Sequence, residues 1–184
     1  MPISTKLTVA GHYGGYAIEF NHAMGGIMKH SISTIGYEGA TVAGFVATLK
    51  HASINLLIDV RDLPLSRKKG FSKNQLAEIL MSSGIEYVHL KGLGDPREGR
   101  MAARAGDYGL FKKIFGKHLG TDLALKHMDV AAELVRDRHA CLMCFEYDPT
   151  QCHRSIVAGK LAQMTGLTVA PLAVQNSRII RIAA

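Results

Sequence analysis

The sequence predicts a single α/β domain, with a mainly parallel open sheet and helices on both faces, in the three-layer arrangement of Rossmann-like folds. Segments with strand and helix character alternate from His30 onwards, which is typical of parallel sheets. The run INLLIDV (54–60) is almost continuously apolar, as expected for a strand that is covered on both faces. The chain has 184 residues, enough to bury one substantial core.

The first half of the chain supplies three predicted strands and two predicted helices. SISTIG (31–36) is a short β-type run that ends at a glycine, and a helix with apolar residues spaced three and four apart follows over 41–52. After the strand at 54–60, a second amphipathic helix covers 72–84 and ends at a glycine, which is a common helix stop. IEYVHL (85–90) is the next predicted strand.

The second half of the chain continues the same alternation. A loop rich in Gly, Pro and Arg is followed by two amphipathic helices, a strand, a helix and a last strand that we expect to be broken by Pro171. In chain order these segments are 91–106, 108–119, 123–137, 140–146, 152–166 and 167–174.

Two helix starts carry capping signals. Ser72 and Gln75 have the spacing of a capping box, in which each side chain satisfies a free backbone N–H at the start of a helix. The segment DPTQ predicts a second start, with Asp148 as N-cap, Pro149 at the first position and Gln151 as the capping-box partner.

Positive charge is concentrated in two stretches of the sequence. The chain has a formal net charge of +7, and residues 61–73 and 97–117 each carry four more basic than acidic side chains. Such concentration favours an anionic partner, either an anionic small molecule or nucleic acid. A solvated basic face is the alternative explanation.

The composition favours a cytoplasmic protein that has no membrane partner. The chain has three cysteines, no visible secretory signal and no apolar run of the about 18 residues that a membrane span needs. Residues 1–28 are rich in Gly and His and show no clear period. We expect 1–28 to be a poorly structured leader or an upstream extension, and 29–184 to be the single α/β domain.

Polar loops that contain Gly or Pro follow four of the predicted strands. They are GYEG (36–39), DVRDLPLSRKKGFS (59–72), KGLGDPREGR (91–100) and CFEYDPTQCHRS (144–155). In an open parallel sheet, ligands bind at the carboxyl ends of the strands. We therefore expect these loops to form one pocket.

The loop CFEYDPTQCHRS allows four interpretations. They are a metal site, a reversible disulfide, a catalytic or anion-binding site, and a buried cysteine pair beside a helix cap. Cys141 is expected in the core, because residues three apart in a strand point to opposite faces. Cys144, Cys152 and His153 then remain, and adjacent Cys and His side chains are not expected to face one ion. We therefore predict no metal site and no cofactor.

Four segments closely resemble the family called domain of unknown function 488 (DUF488). They are TIGYEG, LLIDVRDLPLSRKKGFSKNQLAEIL, GIEYVHLKGLGDPREGR and MCFEYDPTQCHRSIVAGKL, and the resemblance runs from about Ile32 to Leu172. It implies a compact α/β domain and does not supply a substrate. Arg100 fits an arginine-containing turn of one subgroup. The residues that match the family motifs are Gly36, Asp59, Arg61, Pro64, Ser66, Tyr87, Leu93, Gly94, Glu146, Cys152, His153 and Arg154.

The main functional hypothesis is an enzyme, a hydrolase or transferase, acting on a phosphate-bearing ligand such as a nucleotide or nucleic acid. It predicts that Arg61, Glu146 and Arg154 point into the pocket. The alternatives are a non-catalytic nucleic-acid-binding module and a thiol redox or metal-binding protein. The candidate catalytic residues are Asp59, Glu146, Cys152 and His153. The candidate anion- or substrate-binding residues are Gly36, Arg61, Ser66, Tyr87, Gly94, Arg100 and Arg154, with Cys144 as a possible thiol partner.

Overall fold

The sheet is parallel and has five strands. The computed structural model describes residues 11–13, 16–18 and 31–174. Two short antiparallel strands, β1 (Gly11–Tyr13) and β2 (Tyr16–Ile18), come first. The main sheet has the order β5-β4-β6-β3-β7, and each of its four pairings is parallel. Its strands are β3 (Ile32–Gly36), β4 (Leu56–Asp59), β5 (Glu86–His89), β6 (Ala140–Cys144) and β7 (Val169–Leu172).

Six α-helices of the part that the structure describes cover the two faces of the main sheet. They are α1 (Val42–His51), α2 (Lys73–Ser82), α3 (Arg97–Arg104), α4 (Tyr108–His118), α5 (Asp122–Asp137) and α6 (His153–Thr165). Buried residues of α1 and α2 pack on one face, and those of α3 to α6 on the other. The predicted α/β class, with a parallel sheet and helices on both faces, is confirmed. None of the described helices combines the length and the apolar character that crossing a membrane requires.

Strand alternation decides which side chains reach which face. In and just after β4, Leu56, Ile58 and Val60 pack with α3 to α6, whereas Leu57 packs with α1 and α2. Successive side chains of a strand point to opposite faces. Asp59 therefore lies on the α1–α2 side, while Cys144 at the end of β6 packs on the opposite side.

The predicted loop over 91–106 is wrong in part, because it contains a 3-10 turn (Lys91–Leu93) and the whole of α3. The sequence of α3, REGRMAAR, buries only Gly99 and Ala102 among its eight residues. Two small buried residues do not form an apolar stripe, so the sequence of α3 lacks the hydrophobic periodicity that predicts a helix. The helix places Arg100 and Arg104 at the carboxyl ends of the strands.

The two predicted caps form differently. The Ser72 hydroxyl donates to Gln75 Oε1 (3.0 Å) and makes no hydrogen bond to the helix backbone. Asp148 does accept from a backbone N–H, that of Thr150 (2.8 Å), but it caps a 3-10 turn, Pro149–Gln151. Helix α6 begins only after Cys152, whose backbone is extended (φ −124°). Because the 3-10 turn comes first, Cys152 lies before α6 and not in its first turn.

Two further expectations concern the ends of the chain. Pro171 lies in β7 at the edge of the sheet, where a missing N–H is tolerated, so the proline does not break the strand. Within 1–28 the structure describes β1 and β2, and the remainder of that range lies outside the described residues. The expectation of a poorly structured leader therefore stays a prediction.

Candidate functional site

A buried ion pair lies at the end of β4. Asp59 is 0% exposed and Arg61 is 5% exposed. Arg61 Nε donates to Asp59 Oδ1 (2.8 Å), and Arg61 Nη2 lies 2.5 Å from Asp59 Oδ2. Burial disfavours the charge on Arg61, but the hydrogen bonds and the negative charge of Asp59 outweigh it and raise the pKa of the guanidinium.

This ion pair connects several neighbouring segments. Arg61 Nη1 donates to the Tyr37 hydroxyl (3.0 Å), beyond β3, and to the Phe71 carbonyl (2.9 Å), just before α2. The Tyr87 hydroxyl of β5 donates to Asp59 Oδ2 (2.6 Å). Burial and the Asp59 charge raise the pKa of Tyr87, so its phenol stays protonated. We call Asp59, Arg61, Tyr37 and Tyr87 the polar hub.

Arg154 also forms hydrogen bonds with the backbone. It is 1% exposed, and its Nη1 and Nη2 donate to the carbonyls of Glu146 (2.5 Å) and Tyr147 (3.0 Å). Those contacts fix the loop that follows β6, and Arg154 does not line the pocket described below. The anion-binding role predicted for Arg154 therefore has no support in its contacts.

Two of the predicted glycines lie where backbones approach closely. A Cβ at Gly36 would lie 1.9 Å from the carbonyl oxygen of Glu146, and a Cβ at Gly94 would lie 2.2 Å from the backbone nitrogen of Asp62. Only glycine fits such contacts without moving the backbone. These positions hold the loops after β3, β4, β5 and β6 together.

Four side chains that can bind metals converge between the end of β6 and the start of α6. They form what we call the cysteine cluster: Cys144, Glu146, Cys152 and His153. One ligand atom from each lies within 4.8 Å of all the others. Glu146 Oε2 accepts from both thiols, that of Cys144 at 3.2 Å and that of Cys152 at 3.0 Å.

The environment of the cysteine cluster favours thiols over thiolates. Burial raises the pKa of Cys144, and burial together with the neighbouring Cys144 raises that of Cys152 well above its usual value. Burial opposes the charge of Glu146, but hydrogen bonds from the two thiols lower its pKa. In the cluster, one carboxylate accepts two thiol hydrogens, and the raised pKa of Cys152 gives no support to the nucleophile role predicted for it.

His153 completes the cluster with a defined orientation. Its Nε2 lies 2.8 Å from the Val60 carbonyl, which can only accept, so Nε2 carries hydrogen. Its Nδ1 then faces the sulfurs of Cys144 (3.7 Å) and Cys152 (4.0 Å). Burial disfavours a charge on the imidazole, whereas its contacts with Cys152, the Val60 carbonyl and Glu146 raise its pKa.

A cavity of about 420 Å³ opens where the loops after β3, β4, β5 and β6 meet. We call it the rim pocket. Cys144, Glu146 and His153 of the cysteine cluster line it, and Glu146 and His153 also line an adjoining cavity of about 150 Å³. The polar residues around the rim pocket are Tyr37, Arg61, Asp62, Ser66, Arg67, Lys68, Asp95, Arg100, Arg104, Glu146 and His153.

The basic side chains of the rim pocket differ in whether they form hydrogen bonds or ion pairs within the protein. Arg100 Nη1 bonds Asp62 Oδ2 (3.0 Å) and the backbone carbonyl of Asp95. Lys68 Nζ donates to the Tyr37 carbonyl (3.3 Å). Arg67 and Arg104 are exposed and have no hydrogen-bond or ion-pair partner among residues 31–174. Within the described part of the chain, these two guanidiniums of the pocket are free to bind a ligand.

Asp95 is a buried acid that lines both cavities. It is 6% exposed, and its Oδ1 has no hydrogen-bond partner in the described part of the chain. Burial raises the pKa of this carboxyl to about 6, although the nearby His153 and Arg100 oppose the shift. Asp95 therefore exchanges its proton near neutral pH.

The structure brings only part of the predicted site into the rim pocket. Gly36, Asp59, Tyr87, Gly94, Cys152 and Arg154 do not line it, although Cys152 belongs to the cysteine cluster. Ser66, whose hydroxyl accepts from the backbone N–H of Lys68 (3.2 Å), does line it. The predicted residues that do are Arg61, Ser66, Arg100, Cys144, Glu146 and His153.

Sequence reasoning missed several residues of the rim pocket. Asp62, Arg67, Lys68, Asp95 and Arg104 all line it, and none was singled out individually. Four of the five stand in the loops already expected there, and the basic ones belong to the two positively charged stretches. Their position after predicted strands was the available signal.

The polar hub predicts a large loss of stability when one partner is removed. Asp59→Asn leaves the Arg61 charge buried without a counter-ion, so we expect the free energy of unfolding to fall by about 3–5 kcal/mol in urea denaturation. The matched control is Glu86→Gln, which removes the acid of an exposed pair with Arg138 (2.6 Å) and should change stability by about 0–1 kcal/mol. Equal losses in the two variants would contradict the structural role of the hub.

Asp95 predicts a pH-dependent gain when its carboxyl is replaced. Its pKa rises from 3.8 to about 6 on folding, so the favourable contribution of its proton is complete below pH 3.8 and lost as the pH rises through 6. Asp95→Asn should therefore stabilise the protein more above pH 6 than near pH 3.8, in thermal unfolding at both pH values. Asp129→Asn, at an exposed position of α5, is the control. A gain of the same size at both pH values would exclude this explanation.

The sequence comparisons identify the family. A family model described as "Domain of unknown function DUF488" matches residues 41–161. The match is narrower than the resemblance from Ile32 to Leu172, and Gly36 lies outside it. No curated protein and no solved structure matches the chain. Because the family model covers more than half of the sequence and includes the loops that form most of the rim pocket, the chain belongs to the DUF488 family.

Proposed function

We propose that this protein is an enzyme, a hydrolase or transferase, that binds a phosphate-bearing ligand such as a nucleotide or nucleic acid in the rim pocket. The observation that carries the proposal is the presence of two guanidiniums, Arg67 and Arg104, that have no partner among residues 31–174 and line a cavity that also contains a carboxylate, a thiol and an imidazole.

The charge of the rim pocket supports an anionic ligand. Five Lys or Arg side chains and three Asp or Glu side chains line it. Arg61 is neutralised by Asp59 and Arg100 is paired with Asp62, which leaves Arg67, Lys68 and Arg104 against Asp95 and Glu146. Of these three cations, Lys68 donates to a backbone carbonyl, so Arg67 and Arg104 are the two without a partner among residues 31–174. A guanidinium offers a planar pair of donors that matches two oxygens of a phosphate. These arginines are therefore proposed as the phosphate-binding groups.

The acidic residues of the pocket have the properties of an acid–base pair. The pKa of Glu146 is lowered and that of Asp95 is raised to about 6, and both line the same two cavities. Two carboxyl groups whose pKa values are pushed apart commonly act as base and acid. We assign Glu146 the role of proton acceptor and Asp95 that of proton donor, a role not foreseen from the sequence.

A non-catalytic nucleic-acid-binding module is the second candidate. Helix α4 exposes three lysines, Lys112, Lys113 and Lys117, none of which lines the rim pocket. A row of exposed lysines binds the phosphate backbone regardless of sequence, with strong salt dependence. The two candidates therefore place binding on different residues.

The proposal predicts that the arginines of the pocket determine nucleotide binding. Each charge-assisted hydrogen bond contributes about 1.5–3 kcal/mol, so Arg67→Ala/Arg104→Ala should weaken binding of ATP by about 100-fold or more in isothermal titration calorimetry. The matched control is Lys112→Ala/Lys113→Ala, which removes the same charge from an exposed face outside the pocket. We expect the control to bind ATP as the unsubstituted protein does.

A second titrant separates the candidates. If the lysine variant loses affinity for a single-stranded DNA oligonucleotide while the arginine variant keeps it, the binding module is favoured. If ATP, inorganic pyrophosphate and the oligonucleotide all bind the arginine variant with unchanged affinity, the proposed phosphate site is wrong.

A further inference from the structure

The cysteine cluster has the dimensions of a four-coordinate metal site. With zinc–sulfur distances of about 2.3 Å and zinc–nitrogen distances of about 2.0 Å, a tetrahedral site holds its ligand atoms about 3.3–3.8 Å apart. The separations from the two sulfurs to Glu146 Oε2 and His153 Nδ1 run from 3.0 to 4.0 Å. Each of these four separations is within about half an ångström of the tetrahedral value, and the other two, between the sulfurs and between Oε2 and Nδ1, are within 4.8 Å.

We propose that the cysteine cluster binds one divalent transition-metal ion, with zinc as the ion best matched to its ligands. The inference goes beyond the proposed function and does not depend on it, because it concerns an ion and not the ligand of the rim pocket. It runs against the sequence-based expectation that no metal binds, whose premise was that Cys152 and His153 do not face one ion.

The orientation of His153 independently favours a ligand role. Metal-binding histidines typically donate their second ring N–H to a backbone carbonyl or a carboxylate, which fixes the tautomer. His153 Nε2 makes this contact with the Val60 carbonyl at 2.8 Å, so Nδ1 is the ring nitrogen directed at the sulfurs. The ring also meets Phe115 edge to face, with 5.3 Å between centroids, which limits its rotation.

The backbone around the cluster is held before any ion binds. Cys144 ends the central strand β6, and Cys152 stands in extended conformation immediately before α6. Arg154 bonds the carbonyls of Glu146 and Tyr147 and so fixes the connecting loop. Ligands that are already in place lose little conformational freedom on coordination.

The ligand types select the class of metal. Thiolates and imidazole suit zinc and other transition metals, whereas Mg²⁺ and Ca²⁺ prefer sets of oxygen ligands. On binding, each thiol forms a sulfur–metal bond and releases its proton to solvent, and Glu146 keeps its negative charge. Where His153 is protonated, its Nδ1 proton also leaves to solvent, because only the neutral imidazole coordinates a metal ion. The cation replaces the two thiol hydrogens that Glu146 now accepts, which removes the penalty of a buried thiolate.

The ion would be accessible from the rim pocket. Cys144, Glu146 and His153 line that cavity, so one side of the cluster faces the space where a ligand enters. Sites with two cysteines and one histidine leave a fourth position for an exchangeable group in catalytic zinc centres. Glu146 holds that position here, so the proton-acceptor role proposed for Glu146 belongs to the metal-free protein.

Cobalt provides the direct test, because it occupies tetrahedral zinc sites and reports its ligands in the absorption spectrum. One equivalent of Co²⁺ added to the reduced full-length protein should produce thiolate-to-metal charge-transfer absorption and intense visible bands of four-coordinate cobalt. Zn²⁺ should then displace the cobalt and abolish both. The chain has nine histidines, but cobalt bound to histidine alone gives no thiolate band.

Variants localise the ion. Cys144→Ser and Cys152→Ser should each reduce the charge-transfer intensity and weaken Zn²⁺ affinity by more than about 100-fold. Removing a group that only orients a metal ligand costs up to about 100-fold in affinity, and removing the ligand itself should cost more. Cys141→Ala is the matched control, since Cys141 is buried in the other core cluster. It should leave the spectrum unchanged.

The outcomes separate this inference from the proposed function. Absence of a thiolate band in the reduced, unsubstituted protein would overturn the metal site, and so would a band that persists in Cys144→Ser/Cys152→Ser. Neither result would affect ATP binding by Arg67 and Arg104. Conversely, a full cobalt spectrum in a protein that binds no phosphate compound would keep the metal site and reject the proposed ligand.

Discussion

The buried charge of Arg61 is the constraint on which the functional rim depends. A guanidinium at 5% exposure requires a counter-ion and acceptors, and it finds them in Asp59, the Tyr37 hydroxyl and the Phe71 carbonyl. The hydrogen bonds of Arg61 connect the segments that follow β3 and β4. Tyr87 connects β5 to the same ion pair through its hydrogen bond to Asp59. Val60 lies between the two charged residues, and its carbonyl orients His153 from the opposite side of the sheet. One ion pair thus supports both walls of the rim pocket.

Strand alternation separates two kinds of polar chemistry. Asp59 and Arg61 face α1 and α2, where they bond each other and the backbone, whereas Cys144 faces α6 and joins the cysteine cluster. The first arrangement is buried and stabilises the loops, although Arg61 also lines the rim pocket. The second is open to the cavity. Residues from two loops that were expected to form one site therefore have different roles, one structural and the other proposed to be chemical.

Periodicity was enough to predict the parallel sheet and most helices, since long apolar runs and stripes follow from burial. It failed at α3, whose buried residues are small. The loops that form the site could be predicted from the sequence, but the hydrogen-bond partners of their side chains could not. Arg154 bonds carbonyls eight and seven residues away, which only the folded loop brings near. The Cys152 and His153 side chains both reach the cluster with the backbone of Cys152 extended. From the sequence, Cys152 was instead expected inside the helix, so this arrangement was not predicted.

The central claim is that the rim pocket holds a phosphate-bearing ligand beside the cysteine cluster. A crystal structure of the protein grown with ATP tests it most directly. The account predicts phosphate oxygens within hydrogen-bond distance of Arg67 and Arg104, in the cavity lined by Glu146 and His153. A nucleotide bound at another surface, or an empty cavity at an ATP concentration that saturates the protein in solution, would contradict it.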